Sequence, residues 1–205
     1  MNEINELFNF SKDYILEDDA VLLRPLHTND YYNLVDFAIN EPELWKYSVV
    51  PIIDKDGLRT YVDSAIEARE AGKEYAFIVY DKQQNKYAGS TRFYDIQLAN
   101  KSLQLGFTWY GKQFQGTGLN KHCKYLILDF AFDNLQMERV EFRADNNNEK
   151  SVAAMKSIGC VVEGVLRSNA LKSDGTRRDS IVLSILKYEW FGKVKSELRK
   201  KTYKD

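Results

Sequence analysis

Six consecutive residues near the middle of this chain, Gln113, Phe114, Gln115, Gly116, Thr117 and Gly118, constrain its fold more than any other stretch. Before them, residues 103–110 alternate and carry Phe, Thr, Trp and Tyr, which is strand chemistry; after them, Leu119, Cys123, Leu126, Ile127, Phe130 and Ala131 recur at helical spacing. The order is therefore strand, glycine loop, helix. Such a loop gathers backbone N–H groups at a helix N-terminus, where no intrahelical acceptor exists and the helix dipole adds partial positive charge. It is a place for phosphate.

Two nucleotide signatures fail there. A P-loop needs Lys and then Ser or Thr after its last glycine, but Gly116 is followed by Thr117 and Gly118. A dinucleotide fingerprint built on Gly116 and Gly118 needs a third glycine where Lys121 stands, and it usually opens a βαβ unit rather than sitting past mid-chain. What remains is a pyrophosphate cradle of another kind, or two glycines serving only as turn and helix cap.

Composition narrows the surroundings. At 205 residues, 44% hydrophobic and 29% charged, the chain suits one sizeable core and is short for two. The expectation is a single domain over residues 1–205, with a short N-terminal extension (1–13) and a closing helix at about 188–203. No apolar run approaches the ~20 residues of a membrane span, and MNEINELFNF has neither a basic nor an apolar leader region, so a cytoplasmic protein without a membrane partner is expected. The net charge of -1 leaves no electrostatic footprint for nucleic acid, so a bound polyanion must be met locally, by loop N–H groups and by Lys112, Lys121 or Lys124. Cys123 and Cys160 lack metal spacing and read as small core residues, and His27 and His122 stand far apart; no metal is expected.

Along the chain, residues 2–10 read as a short helix, and residues 14–16 and 20–24 as a hairpin around Asp18 and Asp19, ended by Pro25. Thr28 is the expected N-cap of a helix carrying Tyr31, Leu34, Val35 and Ala38, with Trp45 and Tyr47 in the loop beyond it. A second helix runs from about residue 56 to 69, ended by Gly72. Three strands follow (74–80, 87–95, 102–110), then the glycine loop and its helix, a strand (140–144), a helix (148–158) stopped by Gly159, and a hairpin (161–171, 178–186) turning at Asp174 and Gly175. The sum is an α/β (α+β) fold: a mixed, mostly antiparallel sheet with helices on both faces.

The loop resembles the acyl-CoA-binding loop of the GCN5-related N-acetyltransferases (GNAT): a Gln or Arg, two residues, Gly, one residue, then Gly or Ala. The resemblance extends over nearly the whole chain. Asn148, Ser151 and Gly159 in NEKSVAAMKSIGC look like the family's second motif. LLRPL, ELWKY, EGVLR, DGTRRD and ILKYEW resemble the subgroup typified by the ribosomal-protein N-terminal (RimJ/RimL-type) acetyltransferases. Two departures stand out: Cys160 where an aromatic is usual, and Gln104 in LQLGF where many relatives have Glu.

The resemblance implies a GNAT-like fold and direct transfer of an acetyl group from acetyl-CoA to a primary amine. It implies pantetheine held by backbone groups of Phe107, Thr108 and Trp109, and pyrophosphate held by Gln113, Phe114, Gln115, Gly116, Thr117 and Gly118, with Asn120 and Asn148 also on the cofactor. Ser151 is the candidate proton donor to the departing thiolate, or a first-turn serine served by Asn148's cap. Gln104 cannot take a proton, so Glu163 is the next candidate base, or a surface strand residue; Asp95 and Glu43 are weaker candidates. The aromatics Trp45, Tyr47, Tyr94, Trp109 and Tyr110 line an acceptor groove or belong to the core.

Lacking a strong base, the site favours an α-amine. Neutralising an α-amino group at pH 7 costs about 1 kcal/mol, and a lysine-like amine roughly 4.6 kcal/mol. The expected acceptor is therefore a peptide or protein N-terminus; the alternatives are a small-molecule (amino acid or polyamine) acetyltransferase, a CoA-binding module without turnover, or a plain interaction domain. The assembly is a monomer or a homodimer.

Overall fold

The computed structural model describes residues 8–50, 52–172 and 175–203. The helix expected over residues 2–10 lies mostly outside the described residues, and its end at residues 8–10 is not helical; Asp174, of the expected turn, lies outside them too. Eight strands form one sheet: β1 (Leu16–Glu17), β2 (Val21–Pro25), β3 (Tyr75–Asp81), β4 (Lys86–Gln97), β5 (Ser102–Tyr110), β6 (Arg139–Asp145), β7 (Val161–Leu171) and β8 (Arg177–Leu186), in the order β1-β2-β3-β4-β5-β6-β8-β7. The helices are α1 (Tyr31–Asn40), α2 (Lys55–Glu70), α3 (Leu119–Asp129, continued by a wide turn Phe130–Asn134) and α4 (Glu149–Ser157). The closing run, α5, is built from Lys187–Glu189, Trp190–Val194 and Lys195–Thr202. This is the mixed, mostly antiparallel architecture expected.

Alternation along β4 shows how the two layers form. Ser90 and Arg92 face α2, where the Tyr61 hydroxyl lies 3.3 Å from Ser90 Oγ and Arg92 lies over the Tyr61 ring; Phe93, pointing the other way, stacks on Phe130 at the end of α3. β3, YAFIVYD, is buried on both faces, so it reads as a continuous apolar run rather than an alternating one. Asp54 caps α2 by accepting from the Gly57 N–H at 2.7 Å.

Two local expectations change. Thr28 is not the cap of α1: a 3-10 turn, Thr28–Asp30, leads into the helix, and His27 precedes it in an extended conformation. Asp30 organises that corner, accepting from the His27 N–H and from both terminal nitrogens of Arg24, because a carboxylate satisfies a guanidinium and a free N–H together where a hydroxyl does not. Trp45 ends a second 3-10 turn, Pro42–Trp45, rather than lying in open loop.

One interruption positions the site. β5 and β6 run parallel and pair at Ser102↔Arg139, Leu103↔Val140 and Gln104↔Glu141, and no further, although β5 continues to Tyr110 and β6 to Asp145. On its other edge β5 carries a bulge: Ser90 pairs with Trp109 but Arg92 with Gly106, and Phe107 takes the extra place at φ +49°. A bulge bends its strand and increases its twist. β5 therefore turns away from β6, and a wedge opens between them from Gln104 outward.

Candidate active site

The wedge's mouth is the glycine loop. β5 ends at Tyr110, and a 3-10 turn, Lys112–Phe114, leads to Gly116 (φ +78°) and Gly118 (φ +98°), the second of which caps α3. Both glycines are in the left-handed region, and a methyl group built on either meets nothing within 4 Å. They are required by backbone conformation, not by packing, and the space above them is open. Among the described residues, the N–H groups of Gly116, Thr117 and Gly118 donate to no protein acceptor. The Thr117 hydroxyl donates to Phe114 O at 2.8 Å, which pins the loop from below. An anion with several oxygens fits this cradle, so the residues present suit a pyrophosphate.

The other expected binding residues divide into surface and scaffold. Gln113 is exposed; Gln115 is exposed but donates its Nε2 to Tyr110 O at 2.9 Å, bracing the loop against the strand. Phe114 is 1% exposed and packs against Phe37, so only its backbone faces the cradle. Asn120, in the first turn of α3, has a buried Oδ1 without a hydrogen-bond partner. Phe107 and Thr108 are half-buried along β5, and Trp109 is buried against Phe37 and Trp45. Trp45, Trp109 and Tyr110 are core; Tyr47 and Tyr94 are the partly open members of the aromatic set, and Tyr94 packs edge-on to Phe107 at 5.1 Å.

Across the wedge, Asn148 caps α4, its Oδ1 accepting from the Ser151 N–H at 3.1 Å. Ser151 is half-buried in that helix's first turn.

At the wedge's vertex each carboxylate already accepts hydrogen bonds, Asp95 from side-chain amides and Glu141 and Glu163 from arginine. Gln104 donates its Nε2 to Asp95 at 2.7 Å, and Asp95 also accepts from Gln97 at 2.9 Å. That bond fixes the amide's orientation and leaves Gln104 Oε1 buried without a partner. Glu141, paired with Gln104 across the seam, accepts from Arg139 and Arg143, both at 2.7 Å. Glu163 is taken by Arg139 through both oxygens and by the Ser184 hydroxyl at 2.6 Å. The Arg139 guanidinium holds its carboxyl below the usual value, so as it stands Glu163 is a weak base. Glu43 is exposed and paired with Lys112.

Of the three lysines expected to meet phosphate, only Lys112 and Lys121 have solvent access. Lys124 is buried: it donates from Nζ to Thr108 Oγ1 at 3.0 Å, and Thr108 shares a 2.7 Å hydrogen bond with Thr91. The wedge and the orientation of Lys124 were not read from the sequence. The sequence does put Lys124 on one helix stripe with the apolar Leu128 and Ala131, four and seven residues on, but only the structure shows that stripe to be fully buried. A cavity of about 510 Å³ beside Phe10, His27 and Arg69 contains none of these residues.

Comparison with known proteins shows the family and the fold. Residues 20–161 match the acetyltransferase (GNAT) domain. Over 150 residues the chain is 29% identical to the "putative ribosomal N-acetyltransferase YdaF" of Bacillus subtilis, covering 73% of each protein. Over 178 residues it is 25% identical to the "uncharacterized N-acetyltransferase p20" of Bacillus licheniformis, covering 86% of this chain and 98% of that protein. The solved structure of a "putative acetyltransferase" from T. thermophilus superposes with a TM-score of 0.82 at 32% identity, over 92% of this chain and 97% of the other.

Proposed function

The chain belongs to the GCN5-related N-acetyltransferase family and is an acetyl-CoA-dependent N-acetyltransferase, and from that premise we propose that its acceptor is a free α-amino group, at the N-terminus of a peptide or protein. The observation that carries this reading is the vertex of the wedge, where Gln104 stands in place of a carboxylate with its amide oxygen unsatisfied, Glu141 and Glu163 are held by arginines, and Asp95 accepts from two amides. An amide oxygen orients an N–H without taking its proton, so the amine must arrive neutral. At pH 7 that costs about 1 kcal/mol for an α-amine against roughly 4.6 kcal/mol for a lysine side chain. A relative named for ribosomal acetylation supports a protein as acceptor.

Acetyl-CoA supplies the activated acetyl thioester. In the proposed arrangement the N–H groups of Gly116, Thr117 and Gly118 bind its pyrophosphate, helped by the α3 dipole. The β5 backbone from Phe107 to Trp109, facing no strand on the wedge side, binds pantetheine and offers an N–H to the carbonyl oxygen. Gln104 Oε1 accepts from the incoming amine. Asn148 closes the far side, and Ser151 is placed beside it as a hydrogen-bond donor; Glu163 enters as a base only if Arg139 releases it.

The test is CoA release with two peptide sets: free N-terminus with no lysine, and blocked N-terminus with one lysine. Release with the first set alone is expected. Release with the second alone would overturn the α-amine reading. Acetyl-CoA binding without turnover on either set, or on small amines, would leave a binding module instead.

A further inference from the structure

The polar side chain most out of place in this fold is Lys124. Its position in α3 belongs to the helix's buried stripe, and its side chain runs under the sheet into the wedge. Its amine reaches Thr108 on β5, beyond the last paired residue Gln104, and lies 5.8 Å from the ring of Phe142 on β6, just past the last paired residue Glu141. Lys124 is 5% exposed, and among the described residues it makes no ion pair. Of its three N–H donors, one is used.

We propose that the Lys124 ammonium, steadied by Thr108, meets the sulfur end of acetyl-CoA in the wedge and stabilises and protonates the departing thiolate. This rests on the reading of the wedge as the acetyl-CoA channel. As the acceptor nitrogen bonds to the acetyl carbon, the carbon–sulfur bond breaks and its electron pair goes to sulfur. The proton on Lys124 Nζ passes to sulfur, giving the CoA thiol and a neutral amine. The acceptor nitrogen loses a proton as it becomes an amide, and Lys124 regains one from that nitrogen or from solvent.

The surroundings suit this exchange. The groups facing Lys124 are Thr108 and, through it, Thr91 on β4; Phe142 on β6; Cys123 on its own helix; and Cys160 after α4. Only the two thiols titrate, and burial pushes both up, Cys123 to about 12, so they stay neutral. Burial brings Lys124 down to about 8, close to the ~8.5 of an ordinary thiol, so a proton moves between the two with little driving force either way. Ser151, a hydroxyl in the first turn of α4, would donate a hydrogen bond without supplying charge.

A test needs no acceptor. The acidity of the CoA thiol is measured by its ultraviolet thiolate absorbance, free and bound, while desulfo-CoA binding is followed by calorimetry. Bound to the wild type, the thiol should become about tenfold more acidic. Lys124→Met should abolish that gain and leave desulfo-CoA affinity within about twofold of wild type, and Thr108→Val should reduce it. Unchanged acidity of the thiol on the wild-type protein overturns the proposal without any variant. So does a Lys124→Met variant that loses desulfo-CoA as much as CoA, because the role is then structural. Failure of the wild type to bind either compound overturns the channel reading together with the proposal.

Discussion

Replacing Lys124 with Met should make this protein more stable at neutral pH, and the size of the gain follows from burial. The ammonium falls from 10.5 to about 8 in the folded chain, which corresponds to about 3 kcal/mol. Between those values the unfolded chain holds a proton that the folded chain has lost, so stability rises with pH; below about 8 both states are charged and the whole cost is present. Met fills similar space without the charge. It gives up the bond to Thr108, about 1 kcal/mol, but Thr108 keeps Thr91 as a partner. The net expectation is a gain of about 2 kcal/mol at pH 7, or about 4–8 °C in Tm for a chain of this length. Urea melts of both proteins at a series of pH values measure it, since the difference between the two curves cancels the tyrosines and cysteines they share. Wild-type stability should converge on the variant's from about pH 8 upward. Parallel curves, or a variant less stable than wild type at neutral pH, would refute the claim that this lysine bears an uncompensated buried charge.

Other outcomes follow from the same geometry. Gly118→Ala, at φ +98° with open space above it, should cost about 1–2 kcal/mol by thermal melt and weaken stabilisation by acetyl-CoA, because the new methyl points into the cradle. Asp30→Asn should cost about 3 kcal/mol by stranding Arg24. Burial alone would raise the Asp30 carboxyl, but Arg24, the His27 N–H and Asn33 hold it below 3.8. Its contribution is therefore present above that value and lost as pH falls beneath it, and acid titration by circular dichroism should show this dependence in the wild type only. Glu163→Gln should change kcat by less than about tenfold if Arg139 keeps the carboxylate occupied, whereas a larger loss would make it the base. Ser151→Ala should leave the acidity of bound CoA unchanged, separating its role from that of Lys124.

The elements were legible because their signals are local. The alternation of β5, the stripe of α3 and the glycine pair each lie within a few residues of chain, and the family motifs are likewise short contiguous runs. The chemistry at the vertex was less legible because its partners come from elsewhere. The replacement of a carboxylate by Gln104 is visible in sequence, but the bond to Asp95 that orients it depends on the β4–β5 register. Glu163 reads as a base until Arg139, on a strand that is not even its neighbour in the sheet, is seen to grip it. Lys124 reads as a surface cation because spacing says which stripe a residue occupies, not how deep that stripe is buried. Thr28 looked like a cap for want of knowing that Arg24 would recruit Asp30.

The seam between β5 and β6 has a consequence for how this chain could be divided. β1 to β5 occupy residues 16–110 and β6 to β8 residues 139–186, so each panel of the sheet is a contiguous piece of chain with its own complete ladder. The two are stitched by three residue pairs and packed together by α3 against α5, where Phe132 stacks on Trp190 and the Tyr203 hydroxyl donates to Asp18. Cut between residues 134 and 139, the protein yields two fragments whose reunion rests on that short seam and on the α3–α5 contact, and is strengthened by whatever fills the wedge between the panels. A small molecule seated there touches both panels at once. It acts as an adhesive between halves, and a split pair of this kind would report the molecule's presence by the fragments coming together.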